Sequence, residues 1–271
     1  MRWRDWGFLA GGLAVAGAAT LIYGMLVEGD RLVVERKTLR LPLWPSRLDG
    51  YRIAVVSDLH LRGHFTLDLA RRAVAYAISE APDMLVLAGD VVAYWNPEMP
   101  RRVGELLEPL LLMEGRAVAI AGNHEYDCGI PDPLVAICEE LNVRFLRNES
   151  WEFDGITWVG IDSYNEGQAD IAKAFAGAEG DPKIALWHEP DLVDQLPEGV
   201  ALQISGHSHG GQFTFPGGFT PVFSENGKRY PRGYYPDAPT PLYVSRGVGT
   251  TGFPSRLNCP PEVSLLTLVS A

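Results

Sequence analysis

The sequence predicts an α/β domain behind an apolar N-terminal segment, and three observations carry that reading. From Tyr51 onward, short β-branched runs alternate with stretches of helical periodicity. Five of the six histidines fall in short motifs, most of them directly after a predicted strand. Ahead of all this, Trp6 to Val27 contains no charged residue.

That first run would make a helix of roughly 33 Å, against a bilayer core of about 30 Å. Trp3, Trp6 and Tyr23 stand near its ends, where interfacial aromatics belong. The expectation is one transmembrane helix, with residues 1–30 as an anchor in the bacterial inner (cytoplasmic) membrane. A cleaved signal peptide is the rival, because Arg2 and Arg4 precede the run and Ala16-Gly17-Ala18 resembles a cleavage site. A buried core helix is the third reading. Basic residues flank the run on both sides, Arg2 and Arg4 before it and Arg31, Arg36, Lys37 and Arg40 after it, so the side on which the main domain lies stays open.

Residues 31–50 read as an edge strand or linker, closed by the turn residues Pro42, Pro45, Asp49 and Gly50. Residues 51–271 form the main domain. Its predicted strands are Tyr51–Ser57, Met84–Ala88, Ala117–Ala121, Val143–Leu146, Ile156–Ile161, Ile184–Trp187, Leu202–Ser205 and Val263–Leu268. Helices are expected over Leu67–Ser79, Val103–Met113 and Leu134–Leu141. Val143–Leu146 and Ile156–Ile161 would flank a turn at Asp154-Gly155, and Pro216 to Pro261 reads as loop.

A hydrophobic content of 46% allows a sizeable core. The net charge of −11 excludes a phosphate-backbone binder, so no nucleic-acid partner is expected. Three cysteines, Cys128, Cys138 and Cys259, supply no disulfide framework.

The chemistry lies in Ser57-Asp58-Leu59-His60, Gly89-Asp90, Gly122-Asn123-His124-Glu125, Trp187-His188-Glu189-Pro190 and Gly206-His207-Ser208-His209. Each offers carboxylate, amide or imidazole groups suited to borderline divalent metals. Asp58 and His60, like His207 and His209, are one residue apart; in an extended strand end such residues face the same side. Asp58, Asp90, Asn123, His188 and His207 each follow a predicted strand, and strand carboxyl ends converge on one crevice in α/β sheets. Singly, each motif has a bland reading as a turn or a satisfied core histidine; five at five strand ends do not. Arg62, His64, Arg246 and Arg256 are cations near the motifs, either phosphate contacts or solvated loop. Trp95, Phe213, Phe215 and Phe219 either line an apolar groove or pack over the core.

In these motifs the chain resembles the calcineurin-like metallophosphoesterases over about Tyr51 to Leu268. Gly206-His-Ser-His-Gly-Gly-Gln212, Val244-Ser-Arg-Gly-Val-Gly249 and Pro260-Pro-Glu262 are similar to the bacterial membrane-associated YkuE/YaeI/LpxG-like branch. The resemblance implies a four-layer α/β/β/α sandwich. It implies two divalent metal ions (Mn, Fe, Zn or Ni), the first held by Asp58, His60 and His209, the second by Asn123, His188 and His207, with Asp90 bridging. It also implies a monomeric hydrolase of a phosphodiester or pyrophosphate bond, attacked by a metal-bridging hydroxide, with His124 as the catalytic residue at the leaving oxygen and Glu125 either orienting it or solvated. The substrate would be a phosphate-containing small molecule or a lipid, such as a UDP-2,3-diacylglucosamine-like molecule. A phosphomonoesterase and a non-catalytic metal-binding scaffold are the alternatives. Protein phosphatases of the superfamily carry Gly-Asp-x-Val-Asp-Arg-Gly; here Ala93 stands at the second Asp, which argues against that activity and leaves the partner of His124 open.

Overall fold

The computed structural model describes residues 3–127, 129–215, 219–221 and 224–271, with the side chains of residues 3–10, 13, 64 and 65 outside that description. Cys128 and the side chains of Trp3, Trp6 and His64 therefore lie outside the described residues.

Two six-stranded sheets face each other. The first contains β1 (Val33–Leu41), β2 (Tyr51–Val56), β3 (Met84–Ala88), β4 (Ala117–Ile120), β5 (Arg144–Phe145) and β12 (Glu262–Ser270), in the order β1-β12-β2-β3-β4-β5. The second contains β6 (Glu149–Phe153), β7 (Ile156–Ile161), β8 (Lys183–Trp187), β9 (Val200–Ser205), β10 (Gly233–Tyr235) and β11 (Leu242–Val244), in the order β10-β11-β9-β8-β7-β6. β2 to β5 run parallel, as do β7, β8 and β9.

β3 shows why the strands read as unbroken apolar runs. All five of its residues are buried. Leu85 and Leu87 face a cluster with the helices α2 (His64–Ser79), α3 (Met99–Leu107) and α4 (Asp132–Glu140), while Met84, Val86 and Ala88 face the other sheet. A strand covered on both faces needs no polar alternation. The inter-sheet cluster joins Ile53, Val86 and Ile120 to Trp158, Leu186 and Ile204. The outer helical layer on the second sheet is thin: α5 (Ile171–Ala174) and a 3₁₀ turn at Pro190–Gln195 cover Val159, Ile161 and Trp187.

Three expectations need correction. The helix over Val103–Met113 is instead α3 followed by a 3₁₀ segment, Glu108–Met113, because Pro109 supplies no N–H to continue the α-helix. The strand paired across Asp154-Gly155 is Glu149–Phe153, not Val143–Leu146; β5 belongs to the other sheet. Asp154 and Gly155 both have positive φ, 53° and 70°, the requirement of a two-residue type I′ hairpin, which fixes its partner as the residues immediately before it. β10 and β11, three residues each, lie inside the stretch read as loop.

The N-terminal run forms α1 (Trp3–Tyr23), continued by a π-helical turn over Gly24–Glu28. Among the described residues no helix is long and apolar enough to cross a membrane; Trp6–Ala10 and Leu13 of the run fall outside the described side chains. A buried core helix is ruled out over the remainder, since Val15 is 70% exposed and Ile22 53%. The helix is nonetheless docked at its foot. Arg256 N–H donates to the Gly24 carbonyl at 3.1 Å, Ser255 Oγ donates to the Leu21 carbonyl at 3.1 Å, and Cys259 N–H donates to the buried Glu28 carboxylate at 2.9 Å. Residues that the sequence assigns to the anchor therefore touch the catalytic domain. Glu28→Ala leaves the buried Cys259 N–H without its acceptor and should lower stability by about 1–3 kcal/mol, read from the denaturant midpoint at constant slope; an unshifted midpoint would show that the foot of the helix is not docked.

Candidate metal centre

The carboxyl ends of β2, β3 and β4 in one sheet and of β8 and β9 in the other meet at a single locus. Asp58, His60, Asp90 and Asn123 arrive from the first sheet, and His188, His207 and His209 from the second. All but Asn123 are buried. The ligand atoms of Asp58, His60 and His209 lie within 4.8 Å of one another, as do those of Asp90, His188 and His207; His60, Asp90 and His124 form a third, overlapping set. Asp90 Oδ2 sits between the first two sets, 3.4 Å from His60 Nε2 and 3.1 Å from His188 Nε2.

The Nε2 atoms of His60 and His209 face each other at 3.0 Å. Two nitrogens about 2.1 Å from one ion, at right angles, are separated by about 3.0 Å. His188 Nε2 and Asn123 Oδ1 are buried with no hydrogen-bond partner among the described residues. Buried polar atoms left unpaired cost about 1–3 kcal/mol each, a deficit that a cation inside the cluster would remove. The residues present thus fit divalent metal, and their oxygens and nitrogens leave its identity open.

Outer contacts set the tautomers. His188 Nδ1–H donates to the Ala88 carbonyl at 2.7 Å, which turns Nε2 inward. His207 Nε2–H donates to the Glu225 carbonyl at 2.5 Å, leaving Nδ1 as its free lone pair. Asp58 is held by Ser57 Oγ–H at 2.6 Å and by the His207 backbone N–H at 3.0 Å.

Burial lowers the His60 imidazole to about 3, and burial likewise holds His209 well below its ordinary value and lowers His207. These rings stay neutral near pH 7 and offer lone pairs, as ligation requires. Burial raises Asp58. Burial also pushes Asp90 upward, but the adjacent His188 outweighs it and keeps the carboxyl well below the usual range. His188 is the mirror case: burial lowers it, and the Asp90 charge more than offsets that and holds it well above its usual value.

The backbone is strained here. Asp58, His60, Asp90, His207 and His209 have φ of 52°, 44°, 54°, 70° and 50°. Such conformations cost on the order of 1–3 kcal/mol each and persist where the surroundings over-determine them. Asp58 and His60 thus converge through left-handed turns, not through the extended-strand alternation expected from their spacing; the same holds for His207 and His209. Gly89, at φ 91°, has no room for a side chain, because a Cβ there would sit 2.6 Å from His188 Nδ1.

His124 lies beside this cluster, its ring 4.6 Å from that of His60 and edge-on to it. Its Nδ1 is 2.8 Å from Asp127 Oδ2 and 3.0 Å from the Ala93 carbonyl oxygen. The carboxylate missing at position 93 is therefore supplied from Asp127, three residues along the His124 loop itself. Glu125 neither orients His124 nor meets solvent. It is fully buried and accepts from the N–H groups of Gly122 (2.7 Å), Asp90 (2.9 Å) and Val92 (3.2 Å), tying the loops after β3 and β4 together. Burial, and then the Asp90 charge, push it up to about 7.

Arg62, Arg246 and Arg256, which the sequence leaves as either phosphate contacts or solvated loop, are struts within the protein. Arg62 donates to the carbonyls of Thr250 and Gly252, and fully buried Arg256 to those of Arg246, Gly247, Gly249 and Cys259. Arg246 pairs with Glu262. Sequence reasoning missed Asp127, Asn165 and Glu189. Asn165 Nδ2 lies 3.3 Å from His207 Nε2, and buried Glu189 accepts from Ser163 Oγ–H at 2.7 Å and Asn165 N–H at 3.1 Å. Glu189 stands inside a quoted motif, so adjacency to His188 was the available signal; Asn165 had none.

Comparison with known proteins agrees with this geometry. Residues 51–211 match the calcineurin-like phosphoesterase family model. The chain is 30% identical to the uncharacterized metallophosphoesterase YkuE of Bacillus subtilis, covering 97% of this chain and 94% of that protein. It is 28% identical to phosphodiesterase YaeI of Escherichia coli (85% and 86% covered) and 29% identical to the UDP-2,3-diacylglucosamine pyrophosphatase LpxG of Chlamydia trachomatis (94% of each). With two facing sheets, ligand clusters at their shared edge and this match, the chain belongs to the calcineurin-like phosphoesterase family.

Proposed function

We propose that this phosphoesterase is a dinuclear metal enzyme that cleaves a phosphodiester or pyrophosphate bond in an amphiphilic, lipid-like substrate. The carrying observation is the pair of ligand sets meeting at Asp90 Oδ2, with His188 Nε2 and Asn123 Oδ1 buried and unpaired beside it. In this reading Asp58, His60 and His209 hold one ion, Asn123, His188 and His207 the other, and Asp90 both. Two divalent ions, when bound, supply Lewis acidity toward phosphoryl oxygen and a water that ionises near neutral pH.

The chain's own residues do the rest. Ser57, Ala88 and Glu225 fix the ligand orientations. His124, held at Nδ1 by Asp127 and the Ala93 carbonyl, presents its other nitrogen and donates a proton to the leaving oxygen. Burial of the ligands excludes bulk water from the reacting group.

The lipid element rests on two supports. LpxG, similar along nearly its whole length, is named for a diacylated substrate. The apolar side chains described on α1 are exposed, and a bilayer would cover them, which supports the reading of a single-pass protein of a bacterial cytoplasmic membrane.

The test is metal analysis of the full chain in detergent together with turnover of bis(p-nitrophenyl) phosphate. We expect close to two ions per chain, loss of turnover and of thermal stability on chelation, and recovery on adding Mn²⁺ or Zn²⁺. Bound metal without turnover would indicate a scaffold. Turnover confined to monoesters would replace the diester reading. Retention in membranes after carbonate washing tests the anchor, and release of a shortened mature chain would sink it.

A further inference from the structure

A cavity of about 380 Å³ opens next to the metal centre, between His209, Gln212 and Phe213 on one side and Thr251, Gly252 and Phe253 on the other. That volume is within the range of small-molecule sites, about 300–1,000 Å³.

Gln212 ties its two walls together. Gln212 donates through Nε2 to the carbonyls of Thr251 (3.2 Å) and Phe253 (2.8 Å), and its Oε1 accepts from Thr251 N–H at 3.0 Å. Arg62 grips the second wall through the Thr250 and Gly252 carbonyls. The Gln212 amide is therefore satisfied by protein. Ser208 and Ser224 also line the cavity, but their hydroxyls donate to the Pro231 and His207 carbonyls; a nucleobase or sugar would need more donors and acceptors facing it than Thr251 and His209 leave.

The cavity's position adds a direction. One end is His209, a ligand candidate of the metal cluster. The Thr251–Phe253 wall runs on to Ser255 and Arg256, which hold the foot of α1 at Leu21 and Gly24. Phe253 is 51% exposed, and the opposite wall leads to Phe215 and Phe219, 42% and 65% exposed. The cavity thus lies between a ligand candidate of the metal cluster and the chain segment that holds the foot of α1.

We propose that this cavity takes one fatty-acyl chain of the substrate, entering from the side of α1 and placing the phosphoester at the metal cluster. The inference rests on the phosphoesterase reading and deepens it to acylated phosphoesters.

The experiment is a chain-length series, methyl to octyl p-nitrophenyl phosphodiesters. It uses the full chain in one detergent, with wild type, Thr251→Trp (which fills the cavity) and Phe253→Ser (which strips its apolar wall). Micelle partition is common to all three proteins and cancels. We expect kcat/KM in the wild type to rise by up to about fourfold per methylene, and the octyl-to-methyl ratio to fall at least tenfold in both variants. A dansyl-labelled fatty acid gives a second, non-catalytic readout, with binding tenfold weaker in Thr251→Trp. A flat series in a wild type that turns over the methyl diester overturns the acyl site, as does an unchanged slope in both variants. If no diester is hydrolysed but probe binding still falls in the variants, the phosphoesterase reading fails and the acyl site stands. If one variant does not fold, the other and the wild-type slope decide.

Discussion

Asp90→Asn should abolish hydrolysis and strip metal from both halves of the centre. The substitution is nearly isosteric, and the Asp90 backbone N–H still reaches Glu125, so the loop keeps its anchor. What changes is the atom between the two clusters. Asp90 Oδ2, 3.4 Å from His60 Nε2 and 3.1 Å from His188 Nε2, becomes either an uncharged oxygen or an N–H₂ group aimed at lone pairs. Oδ1 also accepts from the His124 backbone N–H at 2.9 Å, so an amide forced to rotate would lose one contact to keep the other. The charge that would offset the proposed divalent cations is gone in either orientation. Losing several kcal/mol of transition-state stabilisation, at about 1.4 kcal/mol per decade, predicts a fall in kcat/KM of about 10³-fold or more, with metal occupancy reduced in parallel. Circular dichroism should stay native. A variant that retains both ions and near-normal turnover would remove Asp90 from the bridging position.

The legible part of this protein is the part in which chemistry and backbone position coincide. β2, β3 and β8 are buried on both faces, so their Val-, Ile- and Leu-rich runs stand out, and a first ligand candidate, Asp58, Asp90 or His188, follows each within two residues. That these candidates share one locus was readable because imidazoles are scarce in this chain and sit in order at strand ends. How they converge was not. Left-handed φ at Asp58, His60, Asp90, His207 and His209 comes from the surrounding packing, not from any property of Asp or His written in the sequence. Glu125 shows the same limit. Its neighbour relation to His124 suggested a partnership, yet its carboxylate turns the other way to collect three backbone N–H groups. β6 was hidden because Glu149-Ser-Trp-Glu-Phe is a half-exposed edge strand with no buried run. β10 and β11 were hidden by their length and by the Pro and Gly around them.

His124 tests the division of labour between ligands and acid. His124→Ala should reduce turnover of a diester with a poor leaving group by about 10²–10⁴ while leaving metal content intact. With p-nitrophenol as the leaving group the loss should be far smaller, because that oxygen departs without a proton. Asp127→Asn should follow the same pattern more weakly, by about tenfold, since the half-exposed Asp127 shares Nδ1 of His124 with the Ala93 carbonyl. The effect belongs in kcat with little change in KM, because neither group is asked to bind the ground state. In a His124→Ala background Asp127→Asn should add almost nothing, the signature of two residues acting as a unit. Ala93→Asp, which restores a carboxylate at the position where protein phosphatases of the superfamily carry one, should recover part of the activity lost in Asp127→Asn. The competing outcome is equally specific. His60, Asp90 and His124 also form a compact donor set, so loss of one ion in His124→Ala, with equal damage to good and poor leaving groups, would make His124 a ligand and leave the proton to another donor.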